Sequence, residues 1–474
     1  MIKVVGTKKR RKMNSKNDIY KKALKLAVPM MIQNGITNAV GLVDNLMVGS
    51  LGTESMTAVS IAGQLLFVFS LAVFGGLSGP GIYGAQYYGQ GNEEGVKNIF
   101  RLKWWVAMSI TLAGIATFIL FGNNLIQLYL NGEGSDIDPV LTLNLGHEYL
   151  MIMLIGLIPF VITQIYAGSL RETGESVKPM VAGICSVIVD ICFNYLLIYG
   201  KCGFPRLGVK GAAIATVIAR LVEFTVMIGW AHLSVKKHTF LKKVYCTMGV
   251  PLQVAKTVLI KGMPIFLNEF LWAGGMAMMT QSFSTRGLAL VAGMNISNAI
   301  CNLLNVVFIA MGNAVGILTG QMLGASQYER AKKDSVRLMW FTGAMCMGLT
   351  VVLVAISGYF PLLYDTSEEV RTYGKNFIVI TALFFPVQGY LNALYFTLRS
   401  GGKTIITFLF ASVYTWVIAV PIAFVLCRFS PLSVYLIFGI VQSADFIKLL
   451  IGYVLIQKGI WITNLVEESG KALS

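Results

Sequence analysis

Long apolar runs constrain the fold of this chain more than any other feature of its sequence. Runs of about 20 residues, each long enough for a helix to cross roughly 30 Å of hydrocarbon, recur along all 474 residues. The chain is 55% hydrophobic and only 13% charged, and its mean hydropathy is +0.69. A water-soluble core cannot bury that much apolar surface. The sequence therefore predicts an all-α polytopic membrane protein.

Twelve spans and the charges between them predict the topology. The predicted spans are residues 24–48, 56–82, 98–121, 147–168, 178–199, 208–232, 254–284, 288–319, 336–357, 374–398, 404–427 and 431–457. With a cytoplasmic N-terminus, 29 of the 38 Lys and Arg residues fall on the inner side and seven on the outer side. The positive-inside rule produces such a bias, so the net charge of +16 reflects topology and no nucleic-acid partner is expected. We expect a multi-pass protein of the plasma (inner) membrane with both termini in the cytoplasm.

The basic opening at residues 8–12 is interpreted as an anchor near anionic lipid, with a nucleic-acid arm as the alternative. Residues that would support an enzyme or a metal centre are sparse. The seven Cys residues contain no CxxC pair, and the only His residues are His147, His232 and His238. A disulfide framework, a zinc site and a Ser/His/Asp triad all lack the residues they need. We therefore expect neither an enzyme nor a bound cofactor.

The two halves of the chain repeat one another. At an offset of 235 residues, the matches are Pro29 with Pro264, Gly52 with Gly287, Gln86 with Gln321 and Gly89 with Gly324. Near an offset of 228, residues 170–174 (Leu-Arg-Glu-Thr-Gly) match residues 398–402 (Leu-Arg-Ser-Gly-Gly). Six spans per half is an even number, so the halves share one orientation and enclose a central cavity. The predicted divisions are a basic segment 1–22, an N-terminal lobe 23–233, a cytoplasmic connector 234–253, a C-terminal lobe 254–458 and a cytoplasmic tail 459–474.

Ionisable residues inside the spans are the strongest functional signals. Each costs roughly 2.5–3.5 kcal/mol near the bilayer centre, so each needs a partner or a task. Asp44 continues a helical stripe with Asn34 and Thr37, and Asp190 shares a helix face with Asn194. We predict that Asp44 and Asp190 meet at similar depth and that this group of residues binds Na⁺ or a shared proton, because carboxylate and amide oxygens suit both. A structural hydrogen-bond network is the alternative.

The second half has a different set of polar residues. Glu269 is predicted to bind a cation or proton, and it follows Pro264, which frees a backbone carbonyl that can help coordinate a cation. A group of amides is predicted either to line the substrate cavity or to join helices: Asn298, Asn302, Asn305, Gln388 and Asn392. Two further sets of charges at i,i+3 spacing are interpreted as structural pairs: Arg220 with Glu223, and Asp445 with Lys448.

Four segments together resemble the multidrug and toxic compound extrusion (MATE) family. They are residues 29–52 (ending Val-Asp-Asn-Leu-Met-Val-Gly-Ser-Leu-Gly), 170–174, 207–216 (Leu-Gly-Val-Lys-Gly-Ala-Ala-Ile-Ala-Thr) and 398–402. The resemblance implies two six-helix lobes around a cleft, export driven by Na⁺ or H⁺ entry, and cationic, amphipathic substrates. Asp44 is similar to the family's helix 1 aspartate, and Glu269 to its helix 7 acid. The order Asp190 then Asn194 reverses that of one subgroup, and Glu269 falls about one turn earlier than in several relatives.

These features predict a secondary antiporter that exports small organic compounds in exchange for Na⁺ or H⁺ by alternating access. We expect it to act as a monomer in the lipid bilayer. The alternative in the same superfamily is a flippase for lipid-linked precursors, which would need a cationic cavity, whereas more acids than bases are predicted here. The direction of transport is not given by the sequence, so an uptake symporter is a further alternative.

Overall fold

The computed structural model describes residues 16–130 and 138–467, and this part of the chain is helical without any strand. The basic opening at 8–12 and residues 468–474 lie outside it. The first half contains α1 Lys16–Gly49, α2 Thr53–Gln90, α3 Glu93–Leu130, α4 Pro139–Ile155, α5 Leu157–Glu172, α6 Val177–Tyr199 and α7 Val209–Leu233. The second half contains α8 Leu252–Ser284, α9 Leu288–Gly324, α10 Tyr328–Ile356 and α11 Glu368–Ser400, followed by α12 Thr404–Phe429 and α13 Val434–Gln457.

Ten of the described helices are long and apolar enough to cross a membrane, and α4 with α5 forms one more span that bends by 49°. Helix α8 completes the count of twelve. It is 33 residues long, but it carries Lys256, Lys261 and Glu269. The bend lies at Gly156, between two apolar residues. The described chain thus confirms the predicted all-α architecture of twelve spans in two six-helix halves. The exact lobe boundaries stay a prediction.

The internal duplication is visible in the backbone. Gly52 precedes α2 with φ 119° and Gly287 precedes α9 with φ 134°, a region that glycine enters without steric cost. Pro29 and Pro264 both lie inside the first helix of their half. Equivalent positions therefore adopt the same backbone conformation, or occupy the same place in a helix, in both halves.

Contacts between the halves involve the helix segments near the predicted cytoplasmic side, which we call the inner ends. Small residues allow this approach: a Cβ on Gly79 of α2 would lie 2.6 Å from the Cα of Gly262 of α8. Buried α1 residues such as Ala23 share a hydrophobic cluster with Ala310 and Ala314 of α9. Close packing of small residues is a main source of helix association in a membrane. It holds the two halves together at their inner ends.

The connector between α7 and α8 is partly buried. Phe240 and Leu241 are 5% and 2% exposed, and Arg101 of α3 donates to the Val244 carbonyl at 3.1 Å. The connector is therefore docked against the first half.

His238 of the connector is buried and lies 3.2 Å from the Lys178 Nζ through its Nε2. Burial, together with the positive charges of Lys178 and Lys237, lowers the pKa of His238 to about 4. The imidazole is therefore neutral at physiological pH.

Residues 459–467 follow α13 and cross the inner ends of both halves, and we call them the C-terminal strap. Trp461 is fully buried in the cluster formed by α1, α9, α10 and α11, whereas Leu465 and Val466 are buried in the first-half cluster. The Leu465 N–H donates to the Gln86 side-chain oxygen at the end of α2, at 2.8 Å. The strap is thus anchored on both halves at once.

Candidate functional site

A central cavity of about 500 Å³ lies between the two halves. Helices α1, α2, α5, α7, α9 and α11 line it, and its apolar wall includes Phe74, Phe160 and Phe396. The main polar and charged residues of the lining are Gln33, Asn34, Thr37, Gln164, Arg171, Glu172, Glu223, Asn313 and Arg399. An apolar wall with a few convergent polar groups is typical of a small-molecule site.

Two arginines occupy equivalent positions at the inner end of this cavity. Arg171 ends α5 and Arg399 ends α11, at the 228-residue offset of the duplication. The Arg171 Nη2 donates to Gln33 Oε1 at 2.8 Å, and the Arg399 guanidinium lies 5.3 Å from the centre of the Phe396 ring. Both arginines were expected in inner loops, because the predicted spans end at residues 168 and 398. The cavity therefore contains more positive charge than was predicted, because these helices extend further than their apolar runs.

A buried ion pair lies beside them. Lys103 of α3 is 1% exposed, and its Nζ donates to both carboxylate oxygens of Glu172 at 2.6 Å and to Ser169 Oγ at 3.2 Å. The pair was not predicted, because Lys103, near the inner end of the predicted span 98–121, was counted only as an inner-side charge. The corresponding positions of the second half hold Leu338 and Ser400, so the pair is confined to the first half.

The inner ends are closed by two glutamines that act reciprocally. Gln86 Nε2 at the end of α2 donates to the Ser400 carbonyl of the second half at 2.9 Å. Gln321 Nε2 at the end of α9 donates to the Glu172 carbonyl of the first half at 2.7 Å. We call this arrangement the glutamine closure. The duplication pairs Gln86 with Gln321 and residue 172 with residue 400, which is the signal that could have revealed it.

Two glycines make the glutamine closure sterically feasible. A Cβ on Gly89 would lie 2.0 Å from the Gln321 carbonyl oxygen, and a Cβ on Gly324 would lie 1.9 Å from the Gln86 carbonyl oxygen. Any other residue would force the helices apart. The Gly89 and Gly324 match in the sequence therefore reflects a close backbone crossing of α2 and α9.

A second pocket, of about 460 Å³, lies within the first half and is lined by Asp44, Asn194, Tyr149 and Thr216. Asn194 Nδ2 donates to Asp44 Oδ1 at 2.8 Å. Asp190 is 7% exposed, is adjacent to both Asp44 and Thr216, and has one carboxylate oxygen without a hydrogen-bond partner. Asp190 is buried and Asp44 is half-buried, and two adjacent carboxylates in such surroundings repel each other unless a proton or a cation lies between them. We call this the acidic pocket.

The other predicted residues of the cation site lie elsewhere. Asn34 and Thr37 line the central cavity. They lie two to three turns before Asp44 on α1, and of these three residues only Asp44 reaches the pocket that α6 lines. Glu269 of α8 packs against α2, where a Cβ on Gly75 would lie 3.3 Å from its Cγ. The neighbouring Asn268 donates to the Tyr395 hydroxyl at 3.2 Å. Glu269 is therefore between the halves and apart from the acidic pocket.

The predicted substrate-cavity amides of α9 and α11 do not line the central cavity. Asn305 donates to Asn302 at 3.2 Å, and Gln388 reaches Gln442 of α13 at 3.5 Å. Asn392 lies against Gly312 of α9, and Asn298 is exposed. The cavity lining lies one to four turns nearer the inner ends, at Asn313 and Phe396 for example. The central cavity lies nearer the inner ends because the two halves converge there.

The two i,i+3 charge pairs differ. Lys448 lies 3.3 Å from Asp445 in α13, and its Nζ is 4.6 Å from the centre of the Tyr414 ring. Arg220 and Glu223, both in the described part of α7, make no ion pair. Instead the Arg220 guanidinium lies 5.0 Å from the centre of the Phe160 ring. Elsewhere in the described ranges, no group of three His, Cys, Asp or Glu residues could hold a metal ion.

The MatE family model matches residues 29–196 and 264–425, one segment in each half. The chain belongs to this family. It is 25% identical over 446 residues to the probable multidrug resistance protein YoeA of Bacillus subtilis, covering 93% of this chain and 94% of that one. It is 24% identical over 421 residues to the probable multidrug resistance protein NorM of Thermotoga maritima, covering 88% and 87%.

Solved structures share the fold. A MOP superfamily transporter from Pyrococcus furiosus matches with a TM-score of 0.82 at 20% identity, covering 93% of this chain and 96% of the other. The Vibrio cholerae MATE transporter VcmN matches with a TM-score of 0.82 at 17% identity, covering 94% and 97%. Membership of the MatE family places the chain among transporters and not enzymes.

Proposed function

We propose that this MatE protein is a secondary antiporter that exports small organic compounds through the central cavity in exchange for Na⁺ or H⁺ bound in the acidic pocket. The observation that carries this proposal is the contact of Asp44, Asp190 and Asn194 in a pocket separate from the cavity. Separate sites allow the ion and the substrate to oppose each other through the conformation of the protein, which is one way to couple their exchange. The names of the curated relatives support multidrug export.

The substrates are proposed to be amphipathic compounds that carry a basic group. The Glu223 carboxylate faces the cavity without an ion pair, and Phe74, Phe160 and Phe396 can contact an apolar or aromatic body. Glu172 is already neutralised by Lys103. Arg171 and Arg399 would accept an anionic group of a compound that carries both charges.

The energy source is the ion gradient. One elementary charge that crosses 100 mV provides about 2.3 kcal/mol, which is roughly fiftyfold in concentration for a one-for-one exchange. The inner ends are closed by the glutamine closure and the C-terminal strap. A conformation that is closed on the cytoplasmic side is the one expected to release substrate on the outer side of a plasma membrane, given that both termini are proposed to lie in the cytoplasm.

Efflux of ethidium from proteoliposomes, with Na⁺ and H⁺ gradients imposed separately, tests the proposal. We expect gradient-driven efflux by the wild type and its loss in Asp44→Asn and Asp190→Asn. Glu269→Gln asks whether the second half also contributes to the coupling ion. Asp365→Asn, which changes an exposed carboxylate outside both pockets, is the matched control. Unchanged efflux in both aspartate variants would refute ion binding in the acidic pocket, and no gradient response in the wild type would refute antiport.

A further inference from the structure

Arg220 lies between the acidic pocket and the central cavity. One turn before it on α7, Thr216 lines the acidic pocket. Three residues after it, Glu223 lines the central cavity, as does Phe160, over which the Arg220 guanidinium stacks. The two pockets therefore meet at this side chain.

The hydrogen bonding of Arg220 is incomplete. Its Nη1 is buried without a hydrogen-bond partner, and its charge interacts with Asp190, Tyr149 and Glu223 without a close ion pair to any of them. A buried guanidinium without a close carboxylate is costly. The cost falls whenever Arg220 moves towards either Asp190 or Glu223.

We propose that Arg220 couples the two pockets by exchanging its charge between Asp190 and Glu223. When a cation or proton neutralises the acidic pocket, Arg220 moves to Glu223 and weakens the binding of an organic cation there. When an organic cation occupies Glu223, Arg220 moves to Asp190 and weakens the binding of the coupling ion. The two ligands thus oppose each other without sharing a site, which is the reciprocal linkage that antiport needs.

Arg220 packs against the bend between α4 and α5, so that its movement would also displace α5. A Cβ on Gly156, where the bend lies, would be 3.1 Å from Arg220 Cδ and 3.4 Å from its Nη1. Helix α5 runs from this bend to Arg171 and Glu172 at the cavity. The Glu172 carbonyl in turn accepts from Gln321 in the glutamine closure. Movement of Arg220 therefore acts on the helix that carries one half of the closure.

Equilibrium binding of ethidium to the purified full-length protein tests this inference, which rests on the proposed antiport. Fluorescence titrations are made with and without the coupling ion that drives wild-type efflux. For the wild type we expect the ion to raise the apparent Kd about 5- to 150-fold, the usual range of allosteric coupling. In Arg220→Gln we expect tight ethidium binding that no longer responds to the ion. In Glu223→Gln we expect weak binding that also does not respond.

Lys448→Gln is the matched control, because it removes a membrane-embedded cation of the last helix of the other half that already has its own carboxylate, Asp445. This variant should keep the wild-type ratio of apparent Kd values. If wild-type efflux is driven by an ion gradient and Arg220→Gln keeps the wild-type ratio, the inference about Arg220 is overturned and antiport stands. If the wild type shows neither driven efflux nor linkage, antiport itself fails. Should Arg220→Gln fail to fold, a preserved ratio in Glu223→Gln overturns the inference instead.

Discussion

The C-terminal strap is expected to open locally when its tryptophan is removed. Trp461 is fully buried, and in the strap it is the only anchor of this size. Truncation of a buried Trp to Ala typically costs about 3–5 kcal/mol. Because each 1.4 kcal/mol is a factor of ten, Trp461→Ala should shift the equilibrium between docked and released strap by about two to four orders of magnitude.

Hydrogen exchange measured by mass spectrometry reports this equilibrium directly. The Leu465 N–H is bonded to the Gln86 side chain only while the strap is docked. Peptides that cover residues 459–467 should therefore lose protection by the same two to four orders of magnitude in Trp461→Ala. The end of α2 should lose protection to a smaller extent, because the Gln86 Nε2 retains its bond to the Ser400 carbonyl.

Trp340→Ala is the matched control, since Trp340 of α10 is 67% exposed and its ring contact is with Tyr390 of α11. It should leave exchange in residues 459–467 unchanged. If Trp461→Ala also leaves that exchange unchanged, the strap is not held by its buried side chain and the reasoning fails.

Three further predictions concern the first half and the closure. Lys103→Leu leaves the Glu172 carboxylate buried without its partner and should cost about 3–5 kcal/mol of stability, whereas adding Glu172→Ser, which copies the second half, should restore most of it in thermal unfolding. Gly324→Ala places a methyl group 1.9 Å from the Gln86 carbonyl oxygen and should cost about 1–3 kcal/mol, with faster hydrogen exchange at the crossing. The pKa of His238 is lowered from 6.5 to about 4, so its contribution to stability is complete above pH 6.5 and is lost as the pH falls towards 4, which unfolding temperatures measured across that window will show.

Control variants and contradicting outcomes are available for these three predictions. Gly348→Ala adds a methyl group where no atom lies within 4 Å, and should leave stability and exchange unchanged. His238→Gln should flatten the pH dependence between 6.5 and 4. Equal stability of the Lys103→Leu single variant and the wild type would mean that Glu172 does not need its partner. An unchanged unfolding temperature of the wild type across the pH window would contradict the account of His238.

The spans were predictable because hydrocarbon thickness and backbone hydrogen bonding leave a membrane chain few choices. The predicted spans 178–199 and 254–284 differ by at most two residues from α6 and α8. The bend at Gly156 was not predicted. Gly156 and Pro159 lie together in this apolar run, and Pro159 cannot donate a hydrogen bond to the Ile155 carbonyl, which is a local signal for a helix break that was overlooked. Arg220, 64 residues further along the chain, packs against the bend and could not have been predicted.

The site was predictable where helical periodicity alone decides which residues share a face. Periodicity predicted that Asp190 and Asn194 share a face, and position along the spans predicted Asp44 and Asp190 at similar depth, where the structure places them side by side. The predicted stripe of Asn34, Thr37 and Asp44 is instead divided between the two pockets. Periodicity cannot predict that Lys103 reaches Glu172, because the pair depends on how α3 packs on α5. Residues at helix ends were the main difficulty, since Lys and Arg there resemble loop charges until the tertiary fold buries them.

The duplication also separates what the fold requires from what the acidic pocket adds. At the offsets of the two repeats, Asp44 corresponds to Met279 and Asp190 to Ile418. The second half thus forms the same six-helix unit with apolar side chains at these positions, so the fold itself does not need carboxylates there. A buried polar group that the architecture does not need is expensive to keep. Gln86 and Gln321, by contrast, occur in both halves and perform the same task in each. The symmetric residues therefore hold the two halves together, whereas the asymmetric acids have no such structural task, which agrees with the ion binding that we propose for them.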